Sequence, residues 1–153
     1  MTVRRFPASY QNTPVREALA VLAEQPSLAG LEALLAASVR GGLAVDLTGS
    51  TPESGTRVRT IVSTDGRPVL PLFTSIAEVK LAVAMTQPDD GGTGKPGSRG
   101  ATGIAAQAAI LPAIDALALI RSDEFVAVQF DPGSTAQVVA RAHIETALER
   151  AAG

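Results

Sequence analysis

The four residues Thr64-Asp65-Gly66-Arg67, set between "TRVRTIVS" and "PVLPLFT", constrain this chain more than any other feature. An Asp-Gly pair between apolar runs marks a tight turn, because glycine accepts the positive φ that such turns need. The flanking stretches are therefore predicted to pair as antiparallel strands, with Val58 between Arg57 and Arg59 in the first. The second strand carries Pro68 and Pro71. Proline brings no N–H to a ladder, so this strand is expected at a sheet edge, or with Pro71's missing donor turned away from its partner. Leu70, Leu72 and Phe73 cannot all face one core if the strand alternates.

On the N-terminal side the apolar period is helical. Asn12 or Thr13 followed by Pro14 opens a helix, since proline is tolerated in the first turn. Val15, Leu19, Leu22 and Ala23 then recur at helical spacing as far as Pro26. Ser27 caps a second helix with the stripe Leu28, Leu31, Leu34, Leu35 and Val39, closed by Gly41-Gly42. "GLAVDLTG" is a short strand with Leu43, Val45 and Leu47 alternating, and "GSTPESG" is a loop by composition. After the hairpin, Ser75-Ile76-Ala77-Glu78 is a capping box that opens the helix "IAEVKLAVAM". Residues 105 to 111 read as a short strand or the approach to a helix. "PAIDALALIRSDE" is a helix with Ile114, Leu117 and Ile120 inward, and "FVAVQF" is a nearly all-apolar strand expected at the sheet centre. Asp131-Pro132-Gly133-Ser134 is a turn, "AQVVA" a strand and "RAHIETALERAAG" a terminal helix. The sum is an α+β (α/β) fold: a mixed sheet of about five strands with helices packed over it, in one compact domain spanning 1–153.

Composition limits the functions open to such a domain. A formal charge of −2 over 153 residues gives no reason to expect nucleic acid. The nearest basic run, Arg57, Arg59 and Arg67, has acids nearby. The chain has no cysteine, which excludes disulfides, thiolate catalysis and Cys-based metal sites. "MTVRRFPASYQNTP" has no apolar run behind its arginines, and no stretch approaches ~18 consecutive apolar residues, so neither signal peptide nor membrane span is expected. The expected location is cytoplasmic.

The glycine-rich segment 88–102 contains Gly92-Thr93-Gly94-Lys95-Pro96-Gly97, a formal G-x-G-x-x-G. A dinucleotide loop follows a strand and opens a helix, so that backbone N–H groups meet the pyrophosphate. Here the motif follows a helix, Asp89 and Asp90 precede it, and Lys95 is followed by proline. It is expected to be a surface loop, and no cofactor is implied. Other constellations are equally thin. His143 is the sole histidine and is expected on the surface of the last helix. Asp46, Asp115 and Asp131 each have a local role, at a strand end, a helix first turn and a turn. Thr74 and Ser75 sit where a helix N-terminus binds anions, though capping accounts for both. No catalytic residue and no metal ligand set is assigned.

Two segments carry a family resemblance. "TDGRPVLPLFTSIAEVK", residues 64 to 80, resembles the signature stretch of the SseB protein N-terminal domain, with Phe73-Thr74-Ser75 its sharpest piece. "DEFVAVQFDPGSTAQVVARAHIETAL", residues 123 to 148, resembles that family's strand, turn, strand and final helix, with Asp131 where asparagine is common. The resemblance is strongest over 60–80 and 123–148. The opening of the chain is divergent, the aromatic content is low, and the 88–102 insert is peculiar to this chain. No further C-terminal domain is expected. The resemblance implies the fold and a cytoplasmic location, and brings neither catalytic residues nor a cofactor.

Two functions follow as expectations. The first is a non-catalytic protein-interaction module, docking an unknown protein partner or a second copy of itself through its sheet edge and the "VLPLFTS" surface, with Leu72 and Phe73 in contact. The alternative is a small-ligand-binding or enzymatic domain with Arg67, Thr74, Ser75 and Asp131 grouped at one end of the sheet.

Overall fold

A computed structural model describes residues 6–53, 55, 58–86, 106–122 and 124–152. Helix α1 (Thr13–Glu24) begins where Pro14 predicts, and the Asn12 side chain accepts a hydrogen bond from the Val15 N–H at 3.2 Å. Val15, Leu19 and Leu22 are buried, whereas Ala23 lies on the outer face. Helix α2 (Leu28–Ser38) is capped by the Ser27 hydroxyl, which accepts from the Gly30 N–H at 2.9 Å. The chain turns out of it through Gly41 at φ 71°, a conformation glycine adopts without cost, and a Cβ there would lie 2.5 Å from the Tyr10 hydroxyl. There follow strands β1 (Gly42–Asp46), β2 (Ile61–Val62) and β3 (Pro68–Leu72), helix α3 (Ile76–Thr86) and strand β4 (Ala108–Pro112). Helix α4 (Ala113–Ala118) runs into a 3-10 turn at Leu119–Ser122, and strands β5 (Ala127–Phe130) and β6 (Gln137–Ala140) lead into helix α5 (Arg141–Ala152). No helix among the described residues is long and apolar enough to cross a membrane.

The strands form a two-stranded ladder, β1–β4, and a four-stranded one in the order β2-β3-β5-β6. The Asp-Gly hairpin is present: β2 and β3 pair antiparallel, with Gly66 at φ 85°. Two expectations are corrected. The strand "TRVRTIVS" contracts to Ile61–Val62, because the Arg59 N–H leaves the hairpin and donates to the Asp46 carbonyl at 2.8 Å. And β3 is not an edge but lies between β2 and β5, parallel to the latter, so the other alternative holds: Pro71's missing donor is turned away from β5. Its prolines are tolerated by register. The Asp131 N–H donates to Leu72 O, which turns the even-numbered backbone groups of β3 toward β5. The odd-numbered ones face β2, so Pro71's missing donor falls opposite Arg59, where that pairing has already ended.

The same alternation joins the two ladders. Phe73 exchanges both backbone hydrogen bonds with Ala44 of β1, at 2.8 and 3.0 Å. Along that edge of β1, Asp46 O receives Arg59, Ala44 meets Phe73, and Gly42 is completed by side chains. The Tyr10 hydroxyl accepts the Gly42 N–H at 3.0 Å, and Asn12 Nδ2 donates to the Gly42 carbonyl at 2.8 Å. At the level of Phe73 the row is therefore β4-β1-β3-β5-β6, the mixed sheet of about five strands.

Both faces of this sheet are covered, so all five residues of β1 are buried. Leu43, Val45, Leu70, Leu72, Val128, Phe130 and Val139 meet apolar side chains of α1, α2, α4 and α5 in the main core. Ala44 and Phe73 point the other way, against Val79, Ala82 and Val83 of α3. The strand "VLPLF" thus feeds two cores, one on each face.

Among the described residues no strand pairs with the outer side of β6. Arg141 N–H donates to Val126 O at 3.0 Å, so alternation directs Gln137 and Val139 toward β5 and the N–H groups of Val138 and Ala140 away from it.

Asn12 is only 2% exposed and bonds α1, β1 and the Arg40 carbonyl together. Asn12→Ala is expected to cost about 2–4 kcal/mol, a lost cap plus an orphaned buried carbonyl. Urea unfolding of the variant against wild type measures it.

Candidate functional site

The polar residues with the most shared chemistry gather where β3 gives way to α3. Thr74 lies at the centre, 1% exposed. Its N–H donates to Asp131 Oδ1 at 2.8 Å, its hydroxyl donates to Asp131 Oδ2 at 2.8 Å, and its carbonyl accepts from the Asn12 N–H at 2.8 Å. Arg16 of α1 donates from one nitrogen to the Thr74 hydroxyl at 2.9 Å and to Glu78 Oε2 at 3.2 Å. The other Glu78 oxygen accepts from the Ser134 hydroxyl at 2.8 Å. Local sequence explains the placement. The turn after β5 puts Asp131 at φ 47°, in the left-handed region that asparagine and aspartate tolerate better than other side chains with a Cβ. Ser134 and Ala136 N–H groups both donate to the Asp131 carbonyl, closing the turn. The Ser75 hydroxyl accepts the Glu78 N–H at 3.2 Å, one half of the predicted capping box. The other half is given up, since the Glu78 carboxylate turns to Arg16 and Ser134.

Burial raises the Asp131 carboxyl to about 6, overcoming the two hydrogen bonds from Thr74; Glu78 adds to the rise and Arg16 opposes it. Both carboxylates of the cluster have each oxygen engaged within the chain. Among the described residues no buried side-chain nitrogen or oxygen lacks a partner, and no group of three His, Cys, Asp or Glu is placed to hold a metal ion. The arrangement fastens α1, the β3–α3 junction and the β5–β6 turn to one another. Arg16 and Ser134 give it its solvent face.

Of the six sequence-predicted residues, three converge here: Thr74, Ser75 and Asp131. Arg67 does not. It stands at the hairpin, the opposite end of β3, in an exposed ion pair with Asp65 at 3.3 Å. Leu72 and Phe73 are 0% and 1% exposed. They are core residues, which corrects the expectation that they form a docking surface: with α3 behind the sheet, neither face of β3 reaches solvent. Asp46, Asp115 and Asp131 do not form a carboxylate group. Asp46 accepts from the Thr48 N–H and faces Arg59, and Asp115 is exposed on α4. His143 is exposed on α5. The 88–102 segment lies outside the described residues. Asn12, Arg16, Glu78 and Ser134 were not foreseen as members of the cluster; Asn12 and Glu78 carried only the signals of local caps, and Arg16 carried none.

The raised Asp131 carboxyl has a defined effect on stability. The folded chain holds this proton more tightly than the unfolded one, which titrates near 3.8. The group therefore favours folding fully below that value, and its contribution is lost as pH rises through about 6. Between pH 7 and pH 5 the wild type is expected to gain about 1 kcal/mol relative to Asp131→Asn, which tolerates the same φ and has no such proton. Urea unfolding of both proteins at the two pH values measures the difference.

The family model for the SseB protein N-terminal domain matches residues 15–146. No curated protein and no solved structure matches the chain. The matched span runs from the first turn of α1 to the middle of α5, takes in every described strand and the Thr74–Asp131 cluster apart from Asn12, and covers most of the sequence: the chain belongs to the SseB N-terminal domain family.

Proposed function

We propose that this SseB-family domain is a non-catalytic protein-interaction module of the cytoplasm, and that its docking element is the outer edge of β6. The observation that carries the reading is the direction of Val138, whose N–H points away from β5 and whose side chain is 52% exposed. An extended segment of a partner protein, or β6 of a second copy, takes up that edge by main-chain hydrogen bonding. Edges not meant for pairing are blunted with proline, lysine or a bulge. "QVVA" carries neither residue, and β2, the opposite edge of its ladder, is only two residues long.

Two further observations support the reading. The carboxylates of Asp131 and Glu78 are occupied by Thr74, Arg16 and Ser134, which favours a fastening role for that cluster over a reactive one. A chain without cysteine has no need of an oxidising compartment, in keeping with the cytoplasm.

Val138→Pro removes a donor that faces outward and leaves the bonds to β5 in place. It is expected to cost no more than ~1 kcal/mol of stability while abolishing partner capture from cytosol and any self-association. Val138→Lys, a charged edge, should act alike. Affinity capture read by mass spectrometry, with sedimentation velocity on the purified chain, tests both. Association that survives both substitutions rules the β6 edge out.

A further inference from the structure

We infer that the cleft between α2 and α5 binds a small amphipathic monocarboxylate, its charged end held by Arg40 and Arg150 and its apolar end against Leu35, Val39 and Ala147. The cleft measures about 300 Å³, the lower end of the range of small-molecule sites. Arginine pairing across the domain singles it out. Arg16 meets Glu78, Arg59 meets Asp46, Arg67 meets Asp65, and Arg121 and Arg141 share Glu145. Among the described residues, Arg40 and Arg150 are the arginines without a carboxylate, and both line this one cleft. A guanidinium presents a planar fork of N–H donors matched to a carboxylate.

The lining sets the class of ligand. Leu35 and Val39 are half-buried and Ala147 is buried, so the lining the arginines share includes an apolar floor. A bare inorganic ion leaves that floor wet, whereas a short branched hydrocarbon covers it. Glu32 stands on the same rim and leaves the lining with a net charge of +1 from its two arginines and one carboxylate. That balance suits a monoanion and disfavours a phosphate dianion. Both arginines also lie near the C-terminal ends of their helices, where a cation offsets the carbonyl dipoles. That role does not call for an apolar trough between them, and the test separates the two.

The probe is isovalerate, titrated at pH 7 into the ¹⁵N-labelled full chain, with isovaleramide as its neutral isostere. Expected are saturable amide shifts confined to the lining of the cleft, absent with isovaleramide. The apparent Kd is expected to weaken at least tenfold in Arg40→Gln and in Arg150→Gln. Both side chains are exposed, and both variants should melt like wild type. The inference is overturned by the absence of saturable shifts, by an equal response to isovaleramide, or by an affinity that either substitution leaves unchanged. It does not depend on the β6 edge, and Val138→Pro should bind isovalerate as wild type does.

Discussion

The carboxylate of Asp131 grips Thr74 twice, at its N–H and at its hydroxyl, and much of the domain is organised around that grip. It is made by a residue in the left-handed region at the end of β5, so the turn and the contact specify each other. Through Thr74 the contact reaches Asn12 and the start of α1, and through Arg16 and Glu78 it reaches α3 and the β5–β6 turn. The grip costs something: a carboxylate withdrawn from water at neutral pH is kept charged against its environment. Fixing three chain segments at one point offsets that cost, and it leaves the cluster with little freedom to act on anything else.

The second organising constraint is steric. A strand that alternates must divide "VLPLF" between two faces, and the fold provides a packed layer on each. Leu70 and Leu72 enter the larger core, and Phe73 enters the smaller one under α3. That smaller core is largely alanine and valine around a single aromatic ring. Alanine buries little area, so the close approach of α3 to the sheet matters more there than side-chain bulk. Gly133 belongs to the same economy of space: a Cβ on it would come within 3.1 Å of the Leu81 side chain and 3.3 Å of the Ala82 backbone.

Much of this was legible in the sequence, and the reasons differ by element. The helix starts at Asn12-Thr13-Pro14 and Ser27, the Asp-Gly hairpin, the capping serine before α3 and the apolar interior strand "FVAVQF" are set by local chemistry. The position of β3 was not legible, because the proline rule assumes a partner along the whole strand, and the pairing with β2 ends before Pro71 needs a donor. Half of the polar cluster was visible for the same local reasons: Thr74, Ser75 and Asp131 sit at turn and cap positions. Arg16 was invisible, since an arginine on the polar face of an amphipathic helix looks solvated until the sheet end is placed beneath it. Arg67 was misplaced because neighbours in sequence along one strand end up at its opposite ends. The cleft between α2 and α5 left no trace, since its lining comes from two helices that meet only in the folded chain.

The Ala44–Phe73 pair, with the Arg59–Asp46 bond beside it, is the seam between the two ladders. Everything β1 and β4 share with each other is antiparallel pairing closed over a long span of chain, whereas β2 and β3 close over a turn. Both ladders contain long-range pairing, β1 with β4 and β3 with β5, and only the β2–β3 hairpin and the β5–β6 turn close locally. The β2–β3 hairpin and the β5–β6 turn can organise locally, whereas β1–β4 and β3–β5 each require a long loop to close. Native-state opening follows the same line: the amides of Ala44 and Phe73 report on the docking of one unit onto the other, and those within each ladder report on the unit itself. A sheet that is continuous in space is held across this line by two backbone contacts, Ala44 with Phe73 and Asp46 with Arg59, rather than by a full ladder.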